Sequence, residues 1–152
     1  MGENGEIVAR GSRMMAGYWH QESATRDTMR GGWIYTGDLG YQDEDGYIYL
    51  SGRAKDFIKR GGEMISPEEV EQVLRSHPEL DDAAVIGVPD DEAGELPKAF
   101  IVAAPNSTPM LDELQAFMSE HVASYKLVRE IEMVDAIPKS PSGKILRREL
   151  RA

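Results

Sequence analysis

The amino-acid sequence changes character at about residue 52, and this change limits the folds that the chain can adopt. The residues before it are rich in glycine and aromatic side chains and carry no convincing helical repeat of apolar residues. The residues after it contain two amphipathic helical segments and three strand-like segments. We therefore predict an α+β chain in which residues 1–52 form a β-rich part and residues 56–152 form a compact unit, joined through residues 53–55.

Short strands are predicted in the first part of the chain. Residues 5–11 and 32–37 have the composition of strands bounded by glycine, and residues 39–51 predict a hairpin with its tip at residues 43–46. Three or four short strands do not make a convincing domain by themselves. We therefore expect residues 1–52 to be the end of a larger domain, with a naturally short protein as the alternative.

The second part has a clear helix start at Ser66. Ser66 fits an N-cap, Pro67 fits the first helical position, and Glu69 would complete a capping box. A second helix is predicted at residues 111–122, strands at 83–88, 97–103 and 129–134, and a small hairpin around Gly61 and Gly62. The expected fold of this part is a three-stranded sheet flanked by helices, with the hairpin in addition.

The charge and residue composition exclude several classes of function. The chain has 17 lysines and arginines and 27 aspartates and glutamates, for a net charge of −10. The electrostatic field of such a protein repels nucleic acids and anionic membranes. No cysteine is present, and the three histidines have no metal-ligand spacing, so we predict no metal site. With no run of ~18 apolar residues and no signal-peptide pattern, we expect a cytoplasmic protein with no membrane span.

Two segments near the composition boundary could bind a nucleotide. Asp38 follows a predicted strand, and an ionised carboxylate is suited to paired hydroxyls such as those of a ribose. The alternative is an aspartate that only stabilises a turn. Arg53 could hold a ribose oxygen or a phosphate through its planar guanidinium, or it could belong to a linker of alternating charge.

Two further segments carry basic side chains beside glycine. Lys59 precedes the Gly61–Gly62 turn, where a backbone can approach a ligand closely. Lys144 lies in a segment of proline, serine and glycine, from which its ammonium could reach a phosphate or a carboxylate, although a solvated lysine is the simpler interpretation. The sequence has no glycine-rich phosphate loop, so it offers no obvious means of holding a triphosphate by itself.

Taken together and in order, these segments resemble the adenylate-forming enzymes, which include acyl- and aryl-CoA ligases, firefly luciferases and peptide-synthetase adenylation domains. The matching segments are GEIVARG (residues 5–11), GYW (17–19), GWIYTGDL (32–39), GRAKDFIKRGGE (52–63) and PKSPSGKIL (138–146). They span almost the whole chain. The forms at residues 32–38 and 142–150 are more similar to acyl- or aryl-CoA ligases than to peptide-synthetase domains.

The resemblance implies a role for each candidate residue. Asp38 would take the ribose hydroxyls of ATP or AMP, and Arg53 would contact the nucleotide. Lys55 falls at the family's hinge position, which is often Asp and sometimes Lys. Lys144 would be the lysine needed for adenylation, acting by electrostatic stabilisation and positioning. Lys59 matches a lysine implicated in the second half-reaction.

The thioester-forming hairpin is the remaining assignment that the resemblance implies. Gly61, Gly62 and Glu63 would come to the active site when the small domain, residues 56–152, rotates on its hinge and removes the Lys144 loop. The family reaction first joins a carboxylate to Mg²⁺-ATP as an acyl-adenylate with release of pyrophosphate, and a thiol, usually that of CoA, then attacks the adenylate. The expected ligands are therefore ATP or AMP, Mg²⁺, CoA and a fatty or aromatic carboxylic acid.

The chain lacks the family's phosphate loop and acyl pocket, which belong to a large N-terminal domain. We therefore expect that it cannot catalyse adenylation alone, that Mg²⁺ is bound mainly by the missing domain, and that uncovered aromatic side chains could promote self-association. Two alternatives to a CoA ligase stay open. One is an adenylation module that loads a carrier protein, and the other is a stand-alone, non-catalytic module that binds a nucleotide or a partner.

Overall fold

The chain separates into two compact units. A computed structural model describes residues 4–151, and residues 1–3 and 152 lie outside the described part. The first unit ends at Lys55 and the second begins at Asp56. This division falls next to the change in composition. The assignment of residues 1–52, 53–55 and 56–152 to a large domain, a hinge and a mobile small domain stays a prediction.

The first unit is an antiparallel sheet with one short helix. Its elements are β1 (Gly5–Ala9), α1 (Glu22–Thr28), β2 (Met29–Arg30), β3 (Trp33–Gln42) and β4 (Ile48–Arg53). Strand β3 pairs with each of the other three strands. The expectation that this part contains no helix was wrong. Helix α1 was missed because none of its residues is buried and it therefore carries no apolar stripe.

The predicted hairpin at residues 39–51 is confirmed as the β3–β4 pair. Asp43 closes its tip, because its Oδ1 accepts hydrogen bonds from the backbone N–H groups of Asp45, at 3.1 Å, and Tyr47, at 2.8 Å. Gly40 lies in the middle of the sheet, where a Cβ atom would come within 2.4 Å of the Tyr49 carbonyl oxygen and 2.9 Å of Ile7 Cδ1. Only glycine therefore fits at position 40, which lies two residues after Asp38 in the same strand.

The second unit is a five-stranded sheet with helices. Its elements are β5 (Ile58–Arg60), β6 (Glu63–Ile65), α2 (Pro67–Arg75), β7 (Leu80–Asp90), β8 (Gly94–Ala103), α3 (Leu111–Ser119), β9 (Glu130–Met133) and α4 (Arg147–Leu150). The strand order is β6-β5-β8-β7, and β9 runs parallel beside β8. The three predicted strands are present. The predicted separate hairpin, β5–β6, instead extends their sheet, because Arg60 pairs with Gly94.

The sheet of the second unit has a different covering on each face. Helices α2 and α3 cover one face, where the core includes Ile58, Val85 and Leu114. The C-terminal segment covers the other face, where Ile137 and Ile145 pack against the side chains of β7 and β8. Strand β7 contributes side chains to the cores on both faces, because successive side chains of a strand point to opposite faces of a sheet. The segment that carries Lys144 is therefore part of the packed structure.

The start of α2 differs from the prediction in its side chains. Pro67 occupies the first turn as predicted, but Ser66 makes no side-chain cap, and its hydroxyl instead donates to Glu68 at 3.2 Å. Glu69 pairs with Lys126 at 2.5 Å, a partner 57 residues away that the local pattern could not reveal. Within residues 4–151, no helix combines the length and the apolar composition needed to cross a membrane.

Candidate functional site

Asp38 and Arg53 face each other across β3 and β4. They are direct partners in the antiparallel ladder, and Arg53 Nε lies 3.0 Å from Asp38 Oδ1. The side chain of Asp38 is 33% exposed and that of Arg53 is 50% exposed. The sequence had suggested that Asp38 follows a strand at a turn. It lies inside β3, because this strand continues through Asp38 to pair with β4.

Hydrogen bonds from β1 fix the backbone around Asp38. The Thr36 hydroxyl donates to the Ile7 carbonyl oxygen at 2.7 Å and accepts from the Asp38 N–H at 3.1 Å. The Gly37 N–H donates to Glu6 Oε1 at 2.9 Å. The carboxylate is thus presented from a rigid strand, beside a cation, with part of its surface in solvent.

The second candidate segment is the β5–β6 hairpin. Gly61 and Gly62 have φ values of 57° and 90°, the conformation of a two-residue hairpin turn with positive φ at both central positions. A Cβ atom at either position would meet nothing within 4 Å, so the turn is open to an approaching molecule on this side. Lys59 and Glu63 flank the turn, and both are exposed.

The hairpin is held to the sheet by the β7–β8 turn. The Gly61 N–H donates to the Ala93 carbonyl oxygen at 2.8 Å, and the Lys59 N–H donates to Glu95 Oε2 at 2.8 Å. The Arg60 guanidinium turns away to the Tyr125 carbonyl oxygen at 2.6 Å. The acidic segment at residues 90–95 therefore supports the hairpin.

Lys144 lies in a hydrogen-bonded loop, next to its base and just after the turn at residues 141–143. Lys139 and Ile145 form an antiparallel bridge at its base. The Ser140 N–H donates to the Lys144 carbonyl oxygen at 2.8 Å, and the Lys144 N–H donates to Ser140 Oγ at 3.1 Å. The Lys144 side chain is exposed. The composition predicted a loop here, and the structure adds that its backbone is hydrogen-bonded and that the lysine side chain is exposed.

Side chains of β7 and α2 hold both ends of this loop. Lys139 Nζ pairs with Asp82 at 2.5 Å, and the Arg147 guanidinium pairs with Glu71 at 2.8 Å. Burial raises the pKa of the Glu71 carboxyl, while Arg147 is the largest of the influences that lower it. Sequence reasoning missed Glu71 and Arg147 as a pair. The feature of the sequence that could have revealed the pair was Glu71 itself, a glutamate beside Val70 on the buried face of a helix.

The structure brings some of the candidate residues together. Asp38 and Arg53 meet in the first unit. Lys59, Gly61, Gly62 and Glu63 share the β5–β6 hairpin of the second unit, and Lys144 occupies a separate loop, attached to the other face of the sheet through Ile145. Lys55 is the last residue of the first unit. The functional roles of all these residues stay predictions.

No cluster of three or more histidine, cysteine, aspartate or glutamate side chains within residues 4–151 is arranged to hold a metal ion. The Asp38 carboxylate pairs with Arg53, and no second acidic side chain takes part in that ion pair. We assign none of the described residues as a Mg²⁺ ligand.

The fold and the segment order define the class of protein. Residues 69–144, half of the 152-residue chain, match the family described as the AMP-binding enzyme C-terminal domain. The chain belongs to this family, the C-terminal AMP-binding domain of the adenylate-forming acyl- and aryl-CoA ligases. The resemblance predicted from the motifs is confirmed.

Individual relatives match along nearly the whole chain. The 4-coumarate–CoA ligase 2 of Nicotiana tabacum is 46% identical over 99% of the chain and 28% of its own length. The fatty acid–[acyl-carrier-protein] ligase ScoC of Streptomyces coeruleorubidus is 45% identical over 99% of the chain and 29% of its own length. The o-succinylbenzoate CoA synthetase MenE of Bacillus subtilis, solved with the acyl-adenylate intermediate OSB-AMP, superimposes with a TM-score of 0.88 at 39% identity, over 99% of the chain and 31% of MenE.

The chain thus spans less than a third of each of these relatives. This coverage agrees with the family model, which describes a C-terminal domain. The relatives differ in the acceptor that their names give, which is CoA in one case and an acyl-carrier protein in another.

Proposed function

We propose that this chain is part of an ATP-dependent carboxylic acid–CoA ligase, which forms an acyl-adenylate and pyrophosphate from an acid and ATP and then a thioester with CoA. The observation that carries the proposal is Lys144, an exposed lysine on an ordered loop at the end of the matched family segment. An ammonium there can stabilise the negative charge that builds up between a carboxylate and an α-phosphate.

In the first half-reaction, Asp38 binds the ribose hydroxyls and Arg53 contacts the nucleotide. The ion pair between them supports this role, because one bond to Arg53 leaves the carboxylate with further lone pairs for hydroxyl donors. Lys144 supplies the catalytic charge. Its ammonium acts here as a point charge.

In the second half-reaction, the β5–β6 hairpin replaces the Lys144 loop. Lys59, Gly61, Gly62 and Glu63 then line the path of the thiol, and the open side of the glycine turn allows a pantetheine chain to pass close to the backbone. Lys55 is the hinge of this exchange. The boundary between the two units after Lys55 supports that position.

The acid-binding and Mg²⁺-binding groups are proposed to belong mainly to a preceding large domain. We therefore expect the purified 152-residue chain to release no pyrophosphate from Mg²⁺-ATP with any fatty or aromatic acid. Measurable release would overturn this part of the proposal.

A chimera tests the role of Lys144 directly. Residues 1–152 replace the corresponding segment of the Nicotiana tabacum 4-coumarate–CoA ligase 2, to which they are 46% identical. We expect the chimera to form adenylate, and Lys144→Ala to abolish adenylate formation while sparing thioester formation from supplied adenylate. Lys126→Ala is the matched lysine control, because Lys126 is engaged with Glu69. An inactive chimera, or equal loss of both half-reactions in Lys144→Ala, would refute the assignment.

A carrier protein is the second candidate acceptor, and the similarity to ScoC favours it. Acceptor assays with CoA and with a pantetheinylated carrier protein, performed on the full-length enzyme that contains this chain, distinguish the two. Transfer to CoA alone supports the main proposal, and transfer to the carrier alone replaces it.

A further inference from the structure

The outer edge of β7 is covered by side chains instead of a strand. Within the described residues, β7 pairs only with β8, so the backbone groups on its other edge need partners from elsewhere. The N–H and the carbonyl oxygen of Val85 lie on this edge, and two side chains that are far apart in sequence satisfy them.

Glu71 and Arg147 close a ring of hydrogen bonds around Val85. Glu71 Oε1 accepts from the Val85 N–H at 2.9 Å and from an Arg147 terminal nitrogen at 2.8 Å. Arg147 Nε donates to the Val85 carbonyl oxygen at 3.3 Å. The ring joins α2, β7 and the start of α4. It occupies the place where another strand would pair.

Because the ring is buried, its stability depends both on the opposite charges of Glu71 and Arg147 and on which of them donates and which accepts a hydrogen bond. The side chain of Glu71 is 1% exposed and that of Arg147 is 11% exposed. Arg147 also pairs with Glu68 at 3.5 Å, and Glu71 with Arg75 at 3.9 Å. Removing Glu71 or Arg147 leaves the other with these longer contacts and a less well compensated buried charge. The ring also has a direction, because the Val85 N–H needs an acceptor and the Val85 carbonyl oxygen needs a donor. Exchanging the two charged side chains would therefore not restore it.

Arg147, one member of the ring, is close to the Lys144 loop along the chain. Arg147 comes three residues after Lys144, and Ile145 between them is packed on the sheet. At the other end of the loop, Lys139 pairs with Asp82, which is also in β7. Both ends of the loop are thus attached to one strand, and the Glu71–Arg147 ring fixes the end nearer to Lys144.

We propose that Glu71 and Arg147 are positioning residues for the first half-reaction, which hold the Lys144 loop in register on β7. The proposal rests on the adenylation role proposed above for Lys144. Neither residue need touch a substrate. Their effect is on where the Lys144 ammonium lies, and a displacement of about 1 Å at a reacting centre can lower a rate by about 100-fold.

Hydrogen exchange on the 152-residue chain tests the attachment without any need for activity. In Glu71→Gln and Arg147→Lys, we expect the hydrogen-bonded amides within residues 140–146 to exchange at least about tenfold faster, while the amides of β8 keep their protection. These amides belong to Ser140, Gly143, Lys144 and Leu146. Glu69→Gln is the matched control, since it is the same change on the same helix and affects only the pair with Lys126. Unchanged exchange at residues 140–146 in both variants overturns the proposal.

The chimera then separates the two half-reactions. We expect Glu71→Gln and Arg147→Lys to lower adenylate formation by about 10- to 100-fold and to leave thioester formation from supplied adenylate within about twofold. The double variant Glu71→Arg with Arg147→Glu should not recover adenylation. Equal losses in both half-reactions, or normal adenylation despite faster exchange, would overturn the positioning role. A Lys144→Ala chimera that still forms adenylate would instead refute the proposed function on which this one rests.

Discussion

Asp38 and Arg53 form an ion pair across the β3–β4 ladder, with 3.0 Å between the carboxylate Oδ1 and the guanidinium Nε. Only Ala54 and Lys55 separate Arg53 from the start of the second unit. Both side chains are partly exposed, and an exposed pair contributes about 0–1 kcal/mol to stability. The pair is therefore better suited to orienting a carboxylate for a ligand than to holding the sheet together.

The first prediction concerns nucleotide binding by this pair. In the chimera, we expect Asp38→Asn to raise the KM for ATP by about tenfold or more, because an amide is a weaker and less symmetric acceptor for two hydroxyls. The unfolding free energy of the first unit should change by less than about 1 kcal/mol. Steady-state kinetics and denaturant unfolding measure the two quantities. Asp45→Asn, at an exposed carboxylate of the β3–β4 tip, should alter neither.

The second prediction concerns the glycine turn of the β5–β6 hairpin. Gly61 has a φ of 57°, so Gly61→Ala should destabilise the second unit by about 1–2 kcal/mol, and Gly61→Asn by less because asparagine tolerates this conformation. Both variants add a side chain on the open side of the turn, and both should slow thioester formation more than adenylation. Thioester rates that simply followed the stability of the variants would contradict the proposed role of the hairpin.

The third prediction concerns pH. Burial raises the folded-state pKa of Glu71 above its ordinary value of 4.5. The charge of Arg147, the Val85 N–H and the charge of Arg75 lower this pKa, and the charge of Glu68 raises it further. The folded state therefore binds a proton more readily than the unfolded state between these two pKa values. Stability contributed by this carboxyl is greatest below pH 4.5 and falls as the pH rises through the folded-state pKa.

This effect is isolated by subtracting the unfolding free energy of Glu71→Gln from that of the unsubstituted chain at each pH. The difference should decrease as the pH rises from 4.5, and it should level off once Glu71 is ionised in the folded state. In the variant, Arg147 keeps Glu68 as an acidic partner at 3.5 Å. A difference that increases with pH would show that the carboxyl is stabilised in its ionised form.

The fourth prediction concerns the core beneath the helices. Leu114 is completely buried between α3 and the sheet, so Leu114→Ala should reduce the unfolding free energy of the second unit by about 2–5 kcal/mol. Met133→Ala, at a side chain that is 53% exposed, should change it by less than about 0.5 kcal/mol. Urea denaturation of both variants provides the comparison. Similar losses would mean that Leu114 is not part of the cooperative core.

Local patterns predicted the elements whose cause is local. The β3–β4 hairpin, the glycine turn at Gly61 and Gly62, and the start of α2 at Pro67 all follow from turn chemistry and backbone preference over a few residues. The helix α1 was missed because it buries no residue, so the apolar repeat on which helix prediction depends is absent.

Sequence patterns alone predicted the family, most of the strands and helices, and the turn and loop that carry Gly61 and Lys144. The folded structure shows which side chains support that turn and that loop. Glu71 and Arg147 are 76 positions apart, and Lys139 and Asp82 are 57 apart. Glu71 and Arg147 meet because β7 is an edge strand on which the Val85 N–H and carbonyl oxygen need partners. Such partners are selected by the geometry of the folded sheet, and no short-range pattern in the chain encodes them.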